Sequence, residues 1–105
     1  MDIRQLVLVC ENKDEAINNL CNLFDIKVAY HDPGIIYFGL ENALLPVGNT
    51  FIEVISPVEE GTTAGRFLER RKGDGGYMVI IQVDNFLNSK EKVNQSGIDI
   101  VFESD

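Results

Sequence analysis

The 105-residue sequence is short of positive charge: 9 Lys and Arg stand against 17 Asp and Glu, for a formal net charge of −8. A nucleic-acid footprint needs clustered Lys and Arg, so this balance excludes nucleic acid as a partner. It equally disfavours docking on an anionic membrane surface. Long apolar runs are missing too. No stretch approaches the roughly 18 apolar residues of a membrane-spanning helix, so none is expected. The first residues, Met1 to Glu15, carry an acid at position 2 and no small-residue cleavage site, and do not read as a signal peptide. Cysteine is scarce. Cys10 sits in an apolar run and Cys21 in a helical pattern, which makes a poor disulfide framework and predicts two reduced, buried thiols in a cytoplasmic protein. Histidine is rarer still. His31 stands alone beside Asp32-Pro33 with no Ser or Cys motif near it, which excludes a nucleophilic triad and predicts an exposed loop position.

What remains is a chain with 45% hydrophobic and 25% charged residues, ordinary for one small soluble domain. Ile3 to Cys10 is β-branched and apolar and predicts a strand. Asn12 follows as an N-cap with Glu15 in capping-box position, and Ala16, Ile17, Leu20, Leu23 and Phe24 recur at helical spacing. Asp25 to Tyr30 reads as extended. Asp32-Pro33-Gly34 is a turn, Ile35 to Leu40 a strand, Glu41-Asn42 a break, and Ala43 to Val47 a short apolar segment. Gly48-Asn49 turns the chain into a strand from Thr50 to Ser56 that stops at Pro57. These short connections favour antiparallel neighbours. Thr62 or Thr63 caps a short helix running to about Lys72, and Gly73 to Gly76 breaks it. Tyr77 to Val83 is a strand, Asn85 caps a weaker helix ending near Gly97, and Ile98 to Phe102 starts one more strand.

The order of elements repeats. Leu6-Val7-Leu8-Val9 matches Val79-Ile80-Ile81-Gln82 at an offset of 73 residues, and the same offset carries Asn12 onto Asn85 and Leu20 onto Val93. Such internal symmetry points to two copies of one supersecondary unit. The first copy continues past its helix through about three strands. The second holds only Ile98 to Phe102 beyond its helix and reads as incomplete.

Period-two alternation groups Gln5, Val7 and Val9, then Phe51, Glu53 and Ile55, then Met78, Ile80 and Gln82. Those sets are expected to line one concave surface, while Ile52, Val54, Val79, Ile81 and Val83 pack against helices. Glu53 is a charge within an apolar strand and needs a partner if buried.

This arrangement resembles the vicinal oxygen chelate superfamily of glyoxalase I, methylmalonyl-CoA epimerase, extradiol dioxygenases and bleomycin-resistance proteins. The resemblance rests on Ile3 to Cys10, on Phe51-Ile52-Glu53-Val54-Ile55-Ser56-Pro57, and on Gly75 to Asn85, where a glycine run leads into a strand ending in Val-Asp. It implies an α+β fold: a glyoxalase-like βαβββ module over 1–57, a linker with a short helix over 58–76, and an incomplete second β-α-β module over 77–105. It also implies a cup in which the family's metal-ligand positions fall on Gln5, Glu53 and Met78, with the fourth in a strand beyond Asp105. An amide, a carboxylate and a thioether are a poor set for Zn²⁺, Ni²⁺, Mn²⁺ or Fe²⁺. The expectation is therefore a vestigial site with no metal and no other cofactor.

A small organic ligand is then expected in a metal-poor cup, in the manner of the resistance-type relatives, contacted by Gln5, Val7, Phe51, Glu53, Met78 and Ile80. Glu53 is the one candidate catalytic group, as a general base. The alternative is a metal-dependent lyase, epimerase or dioxygenase acting on a small carbonyl, CoA or thiol-adduct substrate. A third possibility is a folded fragment without activity. Arg66 and Arg70 lie four apart on the linker helix and can face one side. Either they hold a carboxylate or phosphate of the ligand near the cup mouth, or they complement the helix dipole and pair with Glu69. Gly73-Asp74-Gly75-Gly76 lacks the ending of a phosphate loop. An incomplete second module leaves an unpaired edge, which predicts a homodimer.

Overall fold

The computed structural model describes residues 1–104. Asp105, the last residue of the expected domain span, lies outside the described residues. The chain runs as β1 (Asp2–Val9), α1 (Lys13–Phe24), a 3-10 segment (Pro33–Phe38), β2 (Leu40–Val47), β3 (Thr50–Pro57), α2 (Thr63–Arg71), β4 (Gly75–Gln82) and α3 (Phe86–Gln95). The architecture is mixed α+β, with one four-stranded sheet in the order β2-β3-β1-β4. β1 lies parallel to β3 and antiparallel to β4, and β2 is antiparallel to β3.

The helices start where the sequence places their caps. Asn12 accepts the Glu15 N–H at 3.1 Å, Thr62 accepts the Gly65 N–H at 2.9 Å, and Asn85 accepts the Asn88 N–H at 3.0 Å. Each side-chain oxygen satisfies one of the N–H groups that a helix start leaves unpaired. The sheet buries two apolar layers. On one face Val7, Val9, Leu40 and Ile55 pack with Ala64 and Leu68 of α2. On the other, Ala43, Leu45 and Val54 pack with Cys10 and with Ile17 of α1.

Five expectations from the sequence need correction. Ile35 to Leu40 is not a strand. Asp32 accepts the Gly34 N–H through its side chain at 2.9 Å, and Pro33, with its preset φ, opens the 3-10 turn. Gly39 closes the turn at φ 71, a conformation that costs glycine little. Glu41-Asn42 is not a break, because β2 runs unbroken from Leu40 to Val47 with Asn42 buried in it. Asp25 to Tyr30 is reduced to an isolated bridge between Tyr30 and Leu44. Ile98 to Phe102 forms no strand, since no neighbour offers it a ladder among the described residues. The outward set divides as well. Val54 is fully buried under α1, whereas Val79 and Ile81 on β4 remain 56% and 51% exposed. α3 buries no residue, so it does not cover that side of β4 as α1 covers β3.

Candidate functional site

The concave face of the sheet is built by register. Val7 stands opposite Glu53 on one side and opposite Met78 on the other, and Gln5 stands opposite Ile80. Alternation then points Val7, Glu53, Ile55, Met78 and Ile80 to one side, as the sequence predicts. These residues line a cavity of about 420 Å³, within the usual size range of ligand sites. The N-terminal turn of α2 closes it with Thr63 and Ala64, the 3-10 segment with Ile35 and Phe38, and Leu40, Tyr77 and Phe102 complete the wall. Among the described residues, Glu53 is the one charged residue in that wall.

Glu53 is 6% exposed and accepts two hydrogen bonds. Gln5 donates its Nε2 to Oε1 at 2.7 Å, and Asn42 donates its Nδ2 to Oε2 at 2.7 Å. Asn42 is itself held. Its Oδ1 accepts the Asp32 N–H at 2.9 Å, and its backbone carbonyl lies 2.7 Å from Nδ1 of His31. A carbonyl only accepts, so His31 carries a proton on Nδ1. The carboxylate is thus tied through Asn42 to the residue that caps the 3-10 segment. Asn42 was not among the sequence candidates. The signal available was its position between Leu40 and Leu44 at period two, on the face that β3 presents with Glu53.

No family model matches the sequence, and no curated protein matches it. Solved structures do match. The chain is similar to methylmalonyl-CoA epimerase from Mycobacterium tuberculosis, with a TM-score of 0.85 and 19% identity over 97% of this chain and 68% of that one. It is similar to a hypothetical protein from Bacillus halodurans at a TM-score of 0.86, with 17% identity over 96% of this chain and 72% of the other. A methylmalonyl-CoA epimerase variant from Streptomyces coelicolor, in complex with 2-nitronate-propionyl-CoA, matches at 0.86 with 14% identity over 97% and 74%. The chain has the vicinal oxygen chelate fold.

The three positions at which the resemblance places metal ligands converge only in part. Gln5 and Glu53 are in contact, but through the amide N–H, so both carboxylate oxygens already accept a proton donor. Met78 is 47% exposed on β4. No group of three His, Cys, Asp or Glu side chains capable of holding a metal ion occurs among the described residues. One carboxylate, one amide and one thioether fall short of the imidazole, thiolate and carboxylate sets that Zn²⁺ or Fe²⁺ takes.

Other candidates fall outside the cavity. Phe51 lies beside it rather than in its wall, with its ring centroid 5.5 Å from the Arg4 guanidinium carbon. Arg66 folds back on the start of α2, donating to the Gly61 carbonyl at 2.6 Å and to Oγ1 of Thr63 at 3.1 Å. Arg70 is exposed, and neither arginine pairs with Glu69 among the described residues. His31 is exposed, as expected for a loop histidine. Both cysteines are free thiols.

Proposed function

We propose that this chain binds a small organic ligand in the cavity between β1, β3, β4 and α2, with Glu53 as the polar anchor and without a metal of its own. The observation that carries the reading is the bonding of Glu53. A buried carboxylate whose two oxygens are each held by a side-chain amide is positioned without an ion, at the base of an apolar cavity large enough for a drug-sized molecule. Val7, Met78 and Ile80 supply apolar contact, Gln5 orients the anchor from outside the wall, and Phe51, Arg66 and Arg70 also stand outside it. The same reading places the chain in the cytoplasm, supported by its free thiols, and as a homodimer, supported by the exposed apolar surface of β4. Among the described residues no helix is long and apolar enough to cross a membrane.

Two measurements test the reading. Metal analysis of protein purified without added metal is expected to find no stoichiometric Zn²⁺, Ni²⁺, Mn²⁺ or Fe²⁺. A ligand panel is expected to raise the melting temperature, because a molecule that binds only the native state stabilises it in proportion to ln(1 + [L]/Kd). A stoichiometric metal that disappears in Glu53→Gln overturns the proposal. It would favour the second reading, a metal-dependent lyase, epimerase or dioxygenase. That reading draws its support from the structural likeness to methylmalonyl-CoA epimerases, one of them in complex with methylmalonyl-CoA.

A further inference from the structure

We propose that the cavity selects a hydrophobic organic cation, an ammonium group carried on an aryl or alkyl skeleton, which seats its charge on Glu53. This deepens the ligand-binding reading above and rests on it.

Four observations converge. Glu53 is almost fully buried and takes part in no ion pair among the described residues, its partners being the neutral amides of Gln5 and Asn42. A buried carboxylate without a counter-ion is short of a partner, and burial makes that deficit costly. The two amides occupy two of the roughly four acceptor positions that a carboxylate offers, which leaves acceptor capacity for a ligand. Apart from Thr63 the rest of the wall is largely apolar, and it brings in the rings of Phe38, Tyr77 and Phe102, a residue class whose faces attract a cation. Finally, among the described residues no Lys or Arg stands in the wall to receive a carboxylate or phosphate. The net charge of −8 draws cations toward the chain and holds anions off. A neutral ligand would fill the space and leave Glu53 unpaired. An anion would meet it as a like charge. An ammonium satisfies the carboxylate and buries its skeleton at once.

Calorimetric titration at pH 7 with three probes of one skeleton, phenylbutylamine, phenylbutanol and phenylbutyrate, decides the matter. The amine is expected to bind at least about tenfold more tightly than the alcohol, with the carboxylate weakest. In Glu53→Gln the amine is expected to lose its advantage over the alcohol. Met78→Lys, at a partly exposed position of the wall, places a cation on the same face as Glu53, across Val7, and leaves Gln5 and Asn42 in place. It is expected to weaken the amine and strengthen the carboxylate. Equal binding of amine and alcohol, or an amine preference that survives both substitutions, overturns the cation selectivity and leaves the ligand-binding reading in place. Failure of all three probes to bind overturns that reading as well.

Discussion

At the scale of the residue, Asn42 governs the state of Glu53. Truncating it to Ala removes the N–H that reaches Oε2 and leaves a buried acceptor without its donor, a loss worth about 1–3 kcal/mol. Urea denaturation of Asn42→Ala is expected to show that loss. Gln5→Ala is expected to cost less, because Gln5 is only half-buried and water can replace its amide. A second residue-scale prediction concerns Cys10. Burial pushes its thiol from an ordinary 9.0 up to about 11, and the Asp74 carboxylate adds to the rise through its charge and a hydrogen bond. The fold therefore holds the proton that the unfolded chain releases first. Stability is unaffected below pH 9, falls as pH rises from about 9 to about 11, and levels off above that, by roughly 2–3 kcal/mol in all. The midpoint of urea unfolding is expected to drop over that window by more in the wild type than in Cys10→Ala. Equal slopes would contradict the assignment. The sequence exposed Glu53 and Gln5 because a charge and an amide interrupt apolar strands, and alternation assigns them a face. Asn42 stayed hidden because Glu41-Asn42 looks like a polar turn until β3 is laid beside it.

At the scale of the element, local signals held wherever a cap or a tight turn decided the outcome. Asn12, Thr62 and Asn85 each start a helix at the predicted place, and Gly48-Asn49 turns β2 into β3. The segment from Ile35 to Phe38 was misleading for a physical reason. Its β-branched composition favours a strand, but Asp32 and Pro33 commit the preceding turn to 3-10 geometry, and Gly39 ends it with a positive φ. Gly39 is the pivot of that arrangement. A Cβ there would lie 2.7 Å from Cγ2 of Thr62 and 3.1 Å from Oε2 of Glu59, in a backbone conformation that L-residues adopt at a cost of about 1–2 kcal/mol. Gly39→Ala is expected to lower the urea midpoint by at least that equivalent. It is also expected to weaken ligand binding, since Ile35, Phe38 and Leu40 flank the pivot and all three line the cavity. A variant of unchanged stability would show that the 3-10 segment moves freely against α2.

At the scale of the whole molecule, the internal repeat becomes geometry. The offset that maps Leu6 onto Val79 also makes these two residues partners in the antiparallel pairing of β1 with β4, with Val7 opposite Met78. A strand and its repeat-related copy meeting antiparallel at equivalent residues describe a local two-fold axis through that pair, and Lys13 and Phe86, which open α1 and α3, obey the same offset. The repeat was legible because caps and strand order survive where identity does not. What each copy packs against was not legible, because that depends on partners distant in sequence. β1 and α1 are backed by β2 and β3, while among the described residues β4 pairs with β1 alone and stands at the sheet edge. That edge carries unpaired N–H and C=O groups, and Val79 and Ile81 are more than half exposed on it. A second copy of the chain is expected to cover this surface, since a two-fold contact buries the same edge and the same side chains of both copies. Light scattering at micromolar concentration is expected to give twice the 11.8 kDa chain mass. Ile81→Lys, which sets a charge on that surface away from the cavity, is expected to shift the population to monomer and leave the binding of small probes unchanged. A wild-type chain of single mass would remove the second copy from the picture. β4 would then stand as an uncovered sheet edge, with Val79 and Ile81 facing solvent.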